Sequence, residues 1–140
     1  MISSILAARK NRKELRGGLI ISICCSVFCL VFYLVYNIFS HGVHSPFMTF
    51  LFAWPLALEV IPTGLCLMVR SLPGPSVLSS LSWNTGTALV TVGSLLRGIF
   101  DIAGNSSDHQ FYMMVVGFAF LAAGLVLYLL GTSHYFSRLN

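Results

Sequence analysis

Charge is scarce in this chain. Aspartate and glutamate number 4, lysine and arginine 8, and charged residues make up 9% of 140 positions. A soluble domain carries charge on roughly a quarter of its residues, so a water-exposed surface of ordinary composition cannot be built here. With 56% hydrophobic residues the chain is not disordered either. Cysteine pairs of redox or zinc spacing are missing. Cys24, Cys25 and Cys29 fall in one apolar run and Cys66 in another, with no CxxC, and such residues behave as small hydrophobes. No glycine-rich nucleotide loop and no nucleophile–base pair stands out, and no cofactor is expected. Whether the chain is an enzyme is left open.

Long apolar runs dominate instead, at a mean hydropathy of +0.86. A bilayer core asks for roughly 20 apolar residues per helix. The pattern predicts one all-α domain, an integral membrane four-helix up-down-up-down bundle, with spans at about 18–39, 47–69, 78–102 and 111–131. The first run, Gly18 to Phe39, exceeds the roughly 7–15 residues of a secretory signal core and reads as a retained signal-anchor. Pro46 suits the first turn of the second span. Pro73, Gly74 and Pro75 break the chain before the third, and Ala103 to His109 form a turn-rich loop before the fourth.

Five of the eight basic residues lie between Arg9 and Arg16. Residues 1–17 therefore read as a cytoplasmic basic N-terminus, its first part a short helix on the anionic inner leaflet rather than a nucleic-acid contact. With that end inside, Arg70 and Arg138 are also inside and Arg97 alone is outside, so both termini are expected to be cytoplasmic.

Small and polar residues indicate packing. Gly117, Gly124 and Gly131 recur every seven residues and offer a groove to a neighbouring helix. In the third span Asn84, Thr87, Thr91, Ser94, Gly98 and Asp101 form one row at steps of three and four. Such a face avoids lipid and looks into the bundle or toward a second copy. It serves either interhelical hydrogen bonding or a polar pathway.

Glu59 is the costliest residue. It stands near the middle of the second span, where an acidic side chain costs roughly 2.5–3.5 kcal/mol to insert. Pro55, Glu59, Pro62 and Cys66 share a face, and the prolines leave the carbonyls of Leu51 and Leu58 without their helical donors. Glu59 with Thr87, Thr91 and Ser94 is the expected intramembrane polar site. It is either a cation or proton site, or a neutral carboxyl hydrogen-bonded to the third span. A second cluster is expected at the outer face, from His41, His44, Arg97, Asp101, Asp108 and His109. Arg97 and Asp101 pair at i, i+4. His41 and His44 with Asp108 and His109 supply donors enough for a divalent metal, or are simply solvated.

Two blocks carry a resemblance. Ser40-His41-Gly42-Val43-His44-Ser45-Pro46-Phe47-Met48 is followed by Trp54-Pro55-Leu56, and a second block runs from Thr87 to Gly104. Together they resemble a group of small four-span bacterial membrane proteins without an assigned activity. The resemblance implies the same topology and a bacterial cytoplasmic membrane, and it implies no mechanism. The favoured expectation is a non-enzymatic accessory subunit or sensor acting by assembly, with itself or with a membrane partner. The alternatives are a homo-oligomeric transporter or channel using Glu59, and a metal or redox membrane enzyme. Haem fits poorly, because His41, His44 and His109 fall in loops and His134 near a helix end.

Overall fold

The computed structural model describes residues 2–39, 45–69, 74–104 and 109–137, with side chains from residue 12 to residue 133 within those ranges. Among the described residues every regular element is a helix. Helix α1, Ile2–Phe39, runs unbroken for 38 residues. The separate surface helix expected at the N-terminus is instead the first part of α1. Its Leu, Ala, Arg, Lys and Glu residues are good helix formers, and no proline separates them from the apolar run.

The second segment is not one helix. It starts at α2, Pro46–Thr49, where Pro46 takes an N-terminal position and the Ser45 carbonyl accepts from the amides of Met48 and Thr49 at 3.1 and 3.0 Å. Helix α3, Ala53–Pro55, leads into a π-helical segment, Leu56–Val60, and then α4, Ile61–Met68. The cause is local. Pro55 and Pro62 both lack an amide hydrogen, and the chain between them widens its turn to accommodate the lost α-helical bonds.

Helix α5, Val77–Ile102, begins at Ser76, whose hydroxyl oxygen accepts from the Ser79 amide at 3.2 Å. Gly104 follows its end at a φ of 68°, a left-handed turn that glycine adopts without strain. Helix α6 spans His109–Ser137. Among the described residues two helices are long and apolar enough to cross a membrane, Arg12–Phe39 and His109–Ser133. The polar row dilutes α5, and the apolar stretch Ala53–Met68 is shorter.

Helix α1, the broken segment, α5 and α6 touch one another in chain order. Leu19 of α1 lies beside Gly64, Ser26 donates to the Phe52 carbonyl at 3.0 Å, and Cys29 packs with Met48 and Leu51. The broken segment then lies along α5, and α5 along α6. The last pair is the closest. A Cβ on Gly86 would stand 2.8 Å from the Gly117 carbonyl oxygen, and one on Gly117 2.8 Å from Val90 Cγ2. Gly124 meets the backbone of Trp83 and Ser79 in the same way, and the Ser79 hydroxyl donates to its carbonyl at 2.8 Å. Of the predicted glycine groove, Gly117 and Gly124 thus face α5, while Gly131 has no neighbour within 4 Å among the described residues.

Candidate functional site

The polar row of α5 faces the broken segment. Ser94 is fully buried; it accepts from the Trp54 indole at 3.0 Å and donates to the Phe47 carbonyl at 3.1 Å. One hydroxyl thereby serves a donor and an acceptor from the same neighbouring segment. Trp54 also meets Phe118 of α6 edge-on, with ring centroids 6.0 Å apart. Further along α5, the Trp83 indole donates to the Leu58 carbonyl at 2.6 Å. That is the carbonyl Pro62 cannot bond. The sequence-based picture of a bare Leu58 carbonyl beside the carboxyl is therefore corrected: an indole from α5 occupies it. Thr87 and Thr91 bond back to their own helix, to the carbonyls of Trp83 and Thr87 at 3.1 and 2.8 Å.

Glu59 lies within the π-helical segment and is half-buried. In the amide orientation its surroundings require, Asn84 donates to Glu59 Oε1 at 3.2 Å and to the Ser80 carbonyl at 3.1 Å. The hydroxyls of Thr87 and Ser22 face the same carboxyl. Glu59 is thus ringed by side chains of α1 and α5. Ser94 belongs to a separate hydrogen-bonded unit, two to three helical turns along α5 from Asn84 and Thr87. Of the four predicted intramembrane residues, Glu59 and Thr87 stand together, Ser94 lies in a second unit, and Thr91 bonds back to its own helix.

From Glu59 a half-open cavity of about 190 Å³ extends toward the Met68 end, between α4, α5 and α6. Pro62, Cys66, Trp83, Leu125 and Tyr128 wall it, and Leu15 of α1 reaches its edge. Glu59, Pro62 and Cys66 of the predicted face line this space, whereas Pro55 is buried elsewhere in the packing. In the opposite direction the interior is filled: Val90 and Ser94 have no exposed surface, and Met48 and Leu51 retain 2%. The carboxyl therefore stands in the lining of a mostly apolar, half-open recess.

At the Pro46 end, Asp101 Oδ1 lies 3.0 Å from Arg97 Nε, an ionic contact whose N–H is not aligned as a hydrogen bond. Ser45 donates to Asp101 Oδ2 at 2.9 Å, and the Arg97 guanidinium sits 5.6 Å above the Phe47 ring. His109 is exposed at the start of α6. His41, His44 and Asp108 of the expected outer cluster lie outside the described residues. Among the described residues no three His, Cys, Asp or Glu side chains converge as metal ligands.

Sequence reasoning named Glu59 and the α5 row but missed Trp54, Trp83 and Tyr128. An indole N–H inside an apolar segment must find an acceptor. Two tryptophans flanking a proline-freed carbonyl in neighbouring segments were the available signal. No protein family, curated protein or solved structure matches this chain.

Proposed function

We propose that this chain is a four-span protein of a bacterial cytoplasmic membrane, with both termini cytoplasmic, that works as a non-enzymatic sensor or accessory subunit assembling in the bilayer. Its basic N-terminal stretch meets the anionic inner leaflet, and α1, the broken segment, α5 and α6 are the four crossings of an up-down-up-down arrangement. The apolar surface supports the membrane reading. In the two long apolar helices only 11% and 17% of the most hydrophobic window is buried within the chain, whereas a core helix of a soluble protein is mostly buried.

The observation that carries the sensing role is the build of the second segment. It bears the one acid of its span on a π turn, a feature frequent at functional sites, beside a recess open on one side and closed on the other. A recess of that kind suits binding, and its two indole bonds give binding a mechanical link to α5. The resemblance to small four-span bacterial proteins agrees with this topology.

The test uses the full chain in its native membrane. Reporters inserted at the loop following Phe39 and the loop following Ile102 are expected outside, and those at the loop following Met68 and at the C-terminus inside. Affinity purification in mild detergent is expected to recover a complex larger than a monomer. A reporter pattern without alternation overturns the topology, and recovery as free monomer under several growth conditions overturns the assembly role. Transport is the second reading, favoured by the placement of Glu59 at the recess. Ion or drug flux in liposomes that is unchanged by Glu59→Gln ends it.

A further inference from the structure

The cavity below Glu59 has a size, a polarity and one charged group, and together they define a ligand class. An apolar protein cavity of about 150 Å³ holds a single benzene molecule, and drug-sized ligands occupy roughly 300–1,000 Å³. At about 190 Å³ this space takes one aromatic ring or a short branched alkyl body with a few further atoms. Trp83 and Tyr128 stand in its walls, and the Leu58 carbonyl fixes the Trp83 ring at 2.6 Å. Aromatic walls and a carboxyl both favour a positive group, the first through the ring quadrupole and the second through charge.

An inorganic metal ion fits poorly. A divalent cation asks for several oxygen or nitrogen ligands. Among the described walls Glu59 is the one carboxylate, the Thr63, Ser79 and Ser80 hydroxyls and the Asn84 amide are neutral, and Ser79 and Asn84 are already hydrogen-bonded. A compact organic cation with an apolar body suits the carboxyl and the mostly apolar remainder of the lining.

We propose that this cavity binds an ammonium group carried on a small apolar body, with Glu59 as the counter-charge and Trp83 and Tyr128 as the apolar clasp. This rests on Glu59 lying inside the bilayer, as argued above. Binding draws on the carboxyl that Asn84 now holds. Because Glu59 and Leu58 are consecutive on the π turn, engaging one shifts the other against Trp83, which couples occupancy to the seam with α5. The ammonium has two available sources, a free amine or the ethanolamine headgroup of a lipid, and the experiment separates them.

Cys66 lines the cavity and reports its occupancy. The full chain carrying Cys24→Ser and Cys25→Ser, which removes the two exposed thiols, is placed in nanodiscs of phosphatidylglycerol. Cys66 is then labelled with methyl methanethiosulfonate. Benzyltrimethylammonium is expected to slow labelling saturably, by about tenfold, while its uncharged carbon isostere neopentylbenzene does not. Glu59→Gln is expected to raise the half-protecting concentration at least about tenfold. Equal protection by the two probes, or none by either, overturns the proposal, and this comparison needs no variant at Glu59. Protection that survives Glu59→Gln overturns the assigned counter-charge. Adding phosphatidylethanolamine raises the half-protecting concentration if the headgroup is the natural occupant and leaves it unchanged if a free amine is; both results support the ammonium site. Loop reporters are read separately, so loss of the cavity assignment and loss of the membrane topology give different results.

Discussion

Helix α5 meets its two neighbours by opposite means. Toward α6 it presents Gly86 and Gly93, which meet Gly117, Leu121 and Met114 at backbone distance. Toward the broken segment it presents Trp83, Asn84 and Ser94, and each supplies or receives a hydrogen bond. The difference follows from the partner. An unbroken helix such as α6 satisfies most of its own backbone, so apart from the Ser79 hydroxyl on the Gly124 carbonyl close van der Waals approach is the main attraction on that side. A helix interrupted by Pro55 and Pro62 has carbonyls that need donors from elsewhere. The glycine seam has one tight fit and no slack, whereas the hydrogen-bonded seam can exchange partners. Ligand-linked change therefore belongs on the seam that contains Glu59.

The largest effect is expected where the comparison is starkest. A Cβ on Gly86 would stand 2.8 Å from both the Gly117 carbonyl oxygen and the Leu121 amide nitrogen, and backbone atoms cannot swing aside. Gly86→Ala is expected to destabilise the chain by about 3 kcal/mol net: an overpacking cost of about 4 kcal/mol, above the ordinary range because the clash is with backbone, is offset in part by the roughly 1 kcal/mol that alanine gains in helix propensity. Gly131→Ala is its control, because among the described residues nothing lies within 4 Å there. It should be neutral or stabilising by up to about 1 kcal/mol. Unfolding of the purified chain in mixed micelles measures both. Equal effects at the two positions would mean that α5 and α6 are not in backbone contact.

On the other seam the expected losses are smaller and chemical in kind. Ser94→Ala removes the partner of the Trp54 indole and of the Phe47 carbonyl while changing little volume. Leaving buried polar groups unpaired costs about 1–3 kcal/mol, and about 2 kcal/mol is expected. A shift in Trp54 fluorescence should accompany the loss. An unchanged spectrum with unchanged stability would separate the two segments at this height and remove the basis for their contrast.

How much of this was legible in the sequence differs between the seams. The heptad spacing of Gly117 and Gly124 announces a packing face, because seven residues are close to two helical turns. It cannot reveal that the face stops short of Gly131, which depends on where the neighbouring helix ends. The polar row of α5 is readable by the same periodicity, and Asn84, Ser94, Gly98 and Asp101 do turn toward the second segment. The π turn was not readable. Pro55 and Pro62 indicate lost bonds, but the sequence does not say whether the chain kinks, widens or borrows a donor. The cavity was beyond reach for a related reason: it depends on α6 lying close to α5 and apart from α4, a tertiary distance no local pattern encodes.

The smallest effect is expected at the rim of the hydrogen-bonded seam, and it bounds how far that seam is shielded. Arg97 and Asp101 keep 40% and 31% of their side-chain surface exposed. An ion pair that accessible contributes about 0–1 kcal/mol, since water and salt screen it. Asp101→Asn keeps an oxygen to accept from Ser45 and leaves Arg97 over the Phe47 ring. It is therefore expected to cost less than about 1 kcal/mol, and less still at high salt. A loss as large as that of Ser94→Ala, insensitive to salt, would mean that Asp101 is desolvated in the membrane. The polar row would then be a buried charge network along its whole length, and the division of α5 into a rigid face and an adaptable one would have to include a third, electrostatic region at its end.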